Sequence, residues 1–145
     1  MKLLILIIGL TLTISSKGQN IISDSNIVYY KQSFFRFYPN IYMNGKRLKK
    51  IEQFNTFKQI PEAFADFTEY RKTYNKSLYS YFGFIIGIGI SAIGSENNSQ
   101  TFRTSGLVFS IVSFSSAIIF MSKGESKLKK AIRLYNKKVQ PNALY

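Results

Sequence analysis

Twenty lysine and arginine side chains against seven acids, with no histidine and no cysteine, define the chemistry open to this chain. Without imidazole or thiol it lacks the usual general base, a thiolate nucleophile, the common zinc ligands and any disulfide. Serine and lysine are abundant, yet no spacing singles out a Ser/Lys nucleophile pair. No catalytic residue, cofactor or metal ligand is assigned, and a non-enzymatic protein is expected. What the cations can do is bind anions. One group surrounds a turn, Lys46, Arg47, Lys49 and Lys50, and a second lies in the C-terminal tail, Lys127, Lys129, Lys130 and Arg133. Basic residues near a charged membrane each contribute roughly 1 kcal/mol of attraction. Lipid headgroups and acidic glycans are the matching ligands, against a plain solvated basic face for any single residue.

Two uncharged apolar stretches, residues 77–95 and 104–122, must position those groups. As helices, each reaches roughly 28 Å, close to the hydrocarbon thickness of a bilayer. The polar link 96–103 between them is short, so an antiparallel hairpin follows. Small residues recur about every fourth position: Gly83, Gly87, Ser91 and Gly94 in the first stretch, Gly106, Ser110, Ser113 and Ala117 in the second. Helices in lipid associate through close packing, which small residues permit. The expected register sets Gly83 near Ala117, Gly87 near Ser113, Ser91 near Ser110 and Gly94 near Gly106. These stripes either close the hairpin or serve oligomerisation. Neither stretch holds an ionisable side chain, which argues against a pump or transporter.

The chain starts with Met1-Lys2, a run of leucine and isoleucine, and then Ser16-Lys17-Gly18-Gln19. A short basic start, an apolar run and small residues before a cleavage point describe a secretory signal peptide, here residues 1–18. Export disfavours nucleic acid as a partner. Between it and the first apolar stretch, residues 27–48 hold strand-forming runs, Ile27-Val28-Tyr29-Tyr30, Ser33-Phe34-Phe35-Arg36-Phe37 and Ile41-Tyr42-Met43. Asn44-Gly45 is the dipeptide suited to a type I′ hairpin turn. Leu48, Ile51, Phe54 and Phe57 predict a short helix over 48–58. Pro61 suits the first turn of another over 61–76, whose apolar face is Phe64, Phe67, Tyr70, Tyr74 and Leu78. Nothing breaks that helix before Gly83, so it can run directly into the first apolar stretch.

Lys123-Gly124-Glu125-Ser126 reads as a break after the second stretch. Leu128, Ala131, Ile132, Tyr135 and Val139 then mark the apolar face of a basic amphipathic tail over 123–145. Such a helix either lies on a membrane surface or packs on the helix beginning near Pro61. A cleaved signal places residues 19–76 and the tail on the periplasmic side of a bacterial inner membrane. The positive-inside rule favours the reverse, because the tail carries seven basic residues and the link only one.

The order of features resembles a broad set of small envelope proteins from Bacteroidota-type bacteria. The residues that carry the likeness are Gln19 after the signal, Tyr42-Met43-Asn44-Gly45-Lys46, Pro61-Glu62-Ala63 and Lys130-Ala131-Ile132-Arg133-Leu134-Tyr135-Asn136. The resemblance implies an envelope location and a single structural unit, and it carries no activity. In the last motif Tyr135 is expected to anchor at an interface and Asn136 to cap a helix end. The expected fold is a mainly α membrane protein: a two-helix transmembrane hairpin with a small α+β extramembrane part. The expected role is an accessory or scaffold subunit with membrane lipid, an envelope protein or a second copy as partner. The alternative is a binder of anionic lipid or acidic glycan.

Overall fold

The computed structural model describes residues 26–32 and 38–141. The expected signal peptide, Gln19, the run 33–37 and the last four residues of the tail lie outside the described residues. Strands β1 (Val28–Lys31), β2 (Asn40–Met43) and β3 (Lys46–Arg47) precede helices α1 (Lys50–Lys58), α2 (Pro61–Glu96) and α3 (Gln100–Val139). The chain is mainly helical, and α2 and α3 are both long and apolar enough to cross a membrane. At 36 and 40 residues, they measure about 54 and 60 Å, nearly twice a bilayer's hydrocarbon core.

The sheet is antiparallel in the order β1-β2-β3. Asn44 and Gly45 turn β2 into β3 with φ of 55° and 73°, the doubly left-handed geometry of a type I′ turn. Alternation sorts the strand side chains. Val28, Tyr30, Ile41 and Met43 belong to the helix-packed side, while Tyr29 and Tyr42 stack outside with ring centroids 5.2 Å apart. Leu48 donates its N–H to Ile41 O at 2.8 Å, and the Lys49 N–H is taken by Glu52 Oε2 at 2.6 Å, which starts α1. The short helix expected over 48–58 is α1, Lys50–Lys58. Of the four residues behind that expectation, Leu48 and Phe57 are buried, Phe54 is half-exposed with its ring edge-on to Phe64 of α2 at 4.8 Å, and Ile51 is exposed, because Thr56 and Phe57 turn the helix toward α2.

Pro61 sits in the first turn of α2, where a missing N–H costs no helical bond. From there α2 runs unbroken through the apolar stretch, so the helix that begins at Pro61 and the first candidate span form one rod. The same is true of α3, and this overturns the expected break at Lys123-Gly124-Glu125-Ser126. Gly124 is buried against α2, and a Cβ there would stand 3.0 Å from Tyr74 Cδ2. Glycine is therefore a contact residue at this point. It admits the tyrosine ring at the roughly 1 kcal/mol helix cost of lacking a side chain.

Because α3 does not break, the tail's apolar face packs on α2. Leu128, Ala131, Ile132 and Tyr135 join Ala63, Phe67, Tyr70 and Tyr74 in one core, closed by Phe57 from α1 and by Val28, Ile41 and Leu48. Phe57 lies 4.4 Å from Phe67, centroid to centroid, and meets Tyr135 edge-on at 5.9 Å. Asn136 ties the sheet to this core. Its Oδ1 accepts the Val28 N–H at 2.9 Å, and its Nδ2 donates to Val28 O at 2.8 Å. The side-chain amide thus stands in for the neighbouring strand that the start of β1 lacks. The expected cap role for Asn136 is corrected, since α3 continues beyond it to Val139. Its partner Tyr135 is a core residue rather than an interface anchor.

Replacing Asn136 with alanine leaves two buried backbone groups unpaired, at about 1–3 kcal/mol each. Hydrogen exchange at the Val28 amide should then accelerate by tenfold or more while α2 exchange stays slow. Unchanged protection at Val28 would contradict the clamp.

Candidate functional site: the helix seam and the basic faces

The expected link of eight residues is only three long. Helix α2 continues to Glu96, and α3 starts at Gln100. Asn98, at φ 49°, provides the left-handed residue that ends α2. The Ser99 N–H returns to Gly94 O at 2.8 Å and the Asn98 N–H to Ser95 O at 3.4 Å, the paired bonds of a Schellman end. An added Cβ on Gly94 would collide with the Arg103 amide, so the tight turn requires glycine there.

The shorter link moves the seam by about one helical turn from the expected register. A Cβ on Gly83 would face Ser113, at 3.3 Å from its Cβ, rather than Ala117. Gly87 faces Ser110 and Gly106 instead of Ser113, and Gly106 meets the Ser91 backbone in place of Gly94. Ala117 instead accepts a hydrogen bond through its carbonyl from Ser77 Oγ, at 3.0 Å. The Gly87 position is 2.8 Å from Gly106 O and from Ser110 N, so backbone lies directly on backbone. Ser110 Oγ is held inside its own helix by Gly106 O at 2.8 Å and reaches Phe84 O at 3.4 Å. All eight small residues are engaged between the two helices. Outside the seam, Gly89 meets open space.

The two basic groups fare differently. Lys127 and Lys130 converge on the two oxygens of Asp66, each at 3.1 Å, with the Asp66 side chain 9% exposed. Lys129 pairs with Glu125 at 3.0 Å, and the same carboxylate oxygen accepts the Tyr30 hydroxyl at 2.9 Å. Of these four, Lys127 and Lys130 thus tie α3 to α2, Lys129 is paired within α3, and Arg133 is exposed without an ion pair among the described residues. Lys46, Arg47, Lys49 and Lys50 are exposed and make no ion pair among the described residues. They lie at the far end of the molecule. Met43, the strand partner of Lys46, sits beside Tyr135, thirteen residues of α3 beyond the apolar stretch, or about 20 Å.

Sequence reasoning missed Asp66. The signal was available: an acid beside the buried face of Phe64, Phe67 and Tyr70 needs a cation, and the tail is lysine-rich. It also missed Asn98, although asparagine is the usual substitute for glycine at a left-handed helix end. Among the described residues no three His, Cys, Asp or Glu side chains gather where a metal ion could be held. The polar groups that join the elements are hydroxyls, amides and paired charges. Burial pushes the Tyr74 hydroxyl up to about 12, so this ring stays neutral in the core.

Burial alone would raise the Asp66 carboxyl, but hydrogen bonds and charge from Lys130 and Lys127 outweigh it and hold the group below the ordinary value. A carboxyl depressed in the fold gives stability that is complete above its unfolded value near 3.8 and is lost as pH falls below that value. The melting temperature of the detergent-solubilised protein, followed by tyrosine circular dichroism, should therefore drop between pH 5 and pH 3. Asp66→Asn should lower stability at pH 7 by about 1–3 kcal/mol and flatten that drop; an unaltered acid profile would contradict the assignment. The chain matches no protein family, no characterised protein and no solved structure.

Proposed function

We propose that this chain is a non-enzymatic integral membrane protein of the bacterial envelope, serving as an accessory or scaffold subunit. The observation that carries this reading is where the apolar side chains point. Only 17% of the most apolar part of each long helix is buried. Phe82, Ile85, Ile86, Ile93, Leu107, Val108, Ile111 and Val112 face outward, each about half or more exposed. A core helix of a water-soluble protein buries such residues, and an exposed apolar belt of this extent needs lipid or protein around it. In this reading the hairpin is the anchor, and the α+β unit at its far end is a rigid platform for a partner protein.

The inner membrane is the location proposed, because helical spans are the rule there and barrels in the outer membrane. The α+β unit and the tail are placed on the periplasmic side, with the signal cleaved after Gly18. Among the described residues, the basic flanks of the hairpin lie at one end, and the turn at the other holds Glu96 and Arg103. That charge distribution pulls toward the reverse orientation, and the reading holds that the export signal overrides it. The likeness to Bacteroidota-type envelope proteins supports the compartment and adds no partner. The alternative role, binding anionic lipid or acidic glycan through the basic faces, is supported by the exposed cations that form no ion pair among the described residues, of which those near the Asn44-Gly45 turn stand about 20 Å from the apolar stretch and suit a glycan rather than the bilayer.

An alkaline phosphatase fusion at Tyr145 should be active in cells, and the untagged protein should stay in the membrane pellet after carbonate extraction. An inactive fusion made at normal level would reverse the orientation. Release by carbonate would overturn the membrane reading itself.

A further inference from the structure

Resting on that membrane reading, the structure separates cations that can touch a bilayer from those that cannot. The apolar belt ends at Ser77 on α2 and near Ser122 on α3. Immediately beyond it lie Lys72 and Lys76 on α2 and Lys123 on α3, all exposed. Contacts across the seam set these three at one height. Ser77 bonds Ala117, and Gly124 lies on Tyr74 and the carbonyl of Tyr70. Lys123 is therefore level with the turn that holds Lys72 and Lys76.

These lysines differ from their neighbours in having no acid to hold them. Lys127 and Lys130 are spent on Asp66 and Lys129 on Glu125, whereas Lys72, Lys76 and Lys123 form no ion pair among the described residues. Lys72 and Lys76 share one helix face at i and i+4, and Tyr79 follows one turn lower on the same face, 75% exposed. Exposed tyrosine below, free ammonium above and apolar belt beneath is the sequence of groups that a bilayer surface favours. The unpaired cations at the Asn44-Gly45 turn are about 20 Å farther out, more than two Debye lengths at physiological salt. They cannot contribute appreciably to the same surface.

We propose that Lys72, Lys76 and Lys123 form a collar that binds the headgroups of anionic phospholipids where the hairpin leaves the membrane. The tail group Lys127, Lys129, Lys130 and Arg133 is largely structural in this assignment, and the cations at the turn remain available for another ligand.

The test uses the full chain purified in mild detergent, with phosphatidylglycerol and phosphatidylcholine as probes and native mass spectrometry as readout. Wild type should prefer phosphatidylglycerol. K72Q/K76Q/K123Q should lose about tenfold of that preference, K72R/K76R/K123R should keep it, and the distal triple K46Q/R47Q/K50Q, with the same change in net charge, should match wild type. Flotation with vesicles accompanies each variant to show that the hairpin still inserts. A collar variant that inserts and keeps its preference overturns the collar alone, as does an equal loss in the distal variant, which would make net charge the cause. A wild type that does not float overturns the membrane reading and the collar together.

Discussion

Backbone-on-backbone contact between α2 and α3 is the constraint on which the rest of this molecule depends. At Gly87 and Gly106 no larger residue fits, and helices that meet so closely can hold only one register. That register propagates without interruption because neither helix breaks. One turn beyond the seam it becomes Ser77 on Ala117, then Tyr74 on Gly124, then Asp66 between Lys127 and Lys130. The candidate membrane part and the water-exposed part are two ends of one hairpin. A shift in the first would separate the ion pairs of the second.

The far end uses a different solution. A three-stranded sheet with strands this short is not stable alone, and here it is fastened to α3 through three side chains at two levels. Asn136 pairs with the Val28 backbone, Tyr135 reaches Met43, and Glu125 holds the Tyr30 hydroxyl. Phe57 from α1 closes the top of the core against Phe67 and Tyr135. Each bond gives little by itself, yet together they order the whole exposed platform against a pair of rods. Among the described residues, the buried polar side chains of this core are partnered.

Much of this was legible in residue types and spacing. Asn44-Gly45 declared the hairpin turn, Pro61 the start of α2, and the glycine-serine stripes the faces that meet. The face of Leu128, Ala131, Ile132 and Tyr135 was also plain, though not what covered it. Three features resisted. Glycine at 124 has the same signature whether it breaks a helix or admits a ring, and only the position of Tyr74 decides. The seam register depended on where the link tightened, and one left-handed Asn98 moved it by a turn. Charges cannot be sorted into paired and free from sequence, so the tail lysines resembled a surface patch until Asp66 and Glu125 came to face them. In each case the missing information was long-range geometry.

The central claim is the register of the two long helices, and the chain's lack of cysteine makes it directly measurable by cross-linking. Cβ atoms at 83 and 113 stand 3.3 Å apart, close to the separation of about 3.5–4.5 Å that a disulfide needs. G83C/S113C should therefore oxidise rapidly and nearly completely in membranes, while G83C/A117C, one turn away, should remain mostly reduced. Efficient cross-linking of 83 to 117 with little at 113 would contradict the account, and with it the contacts that the seam passes on to the rest of the fold.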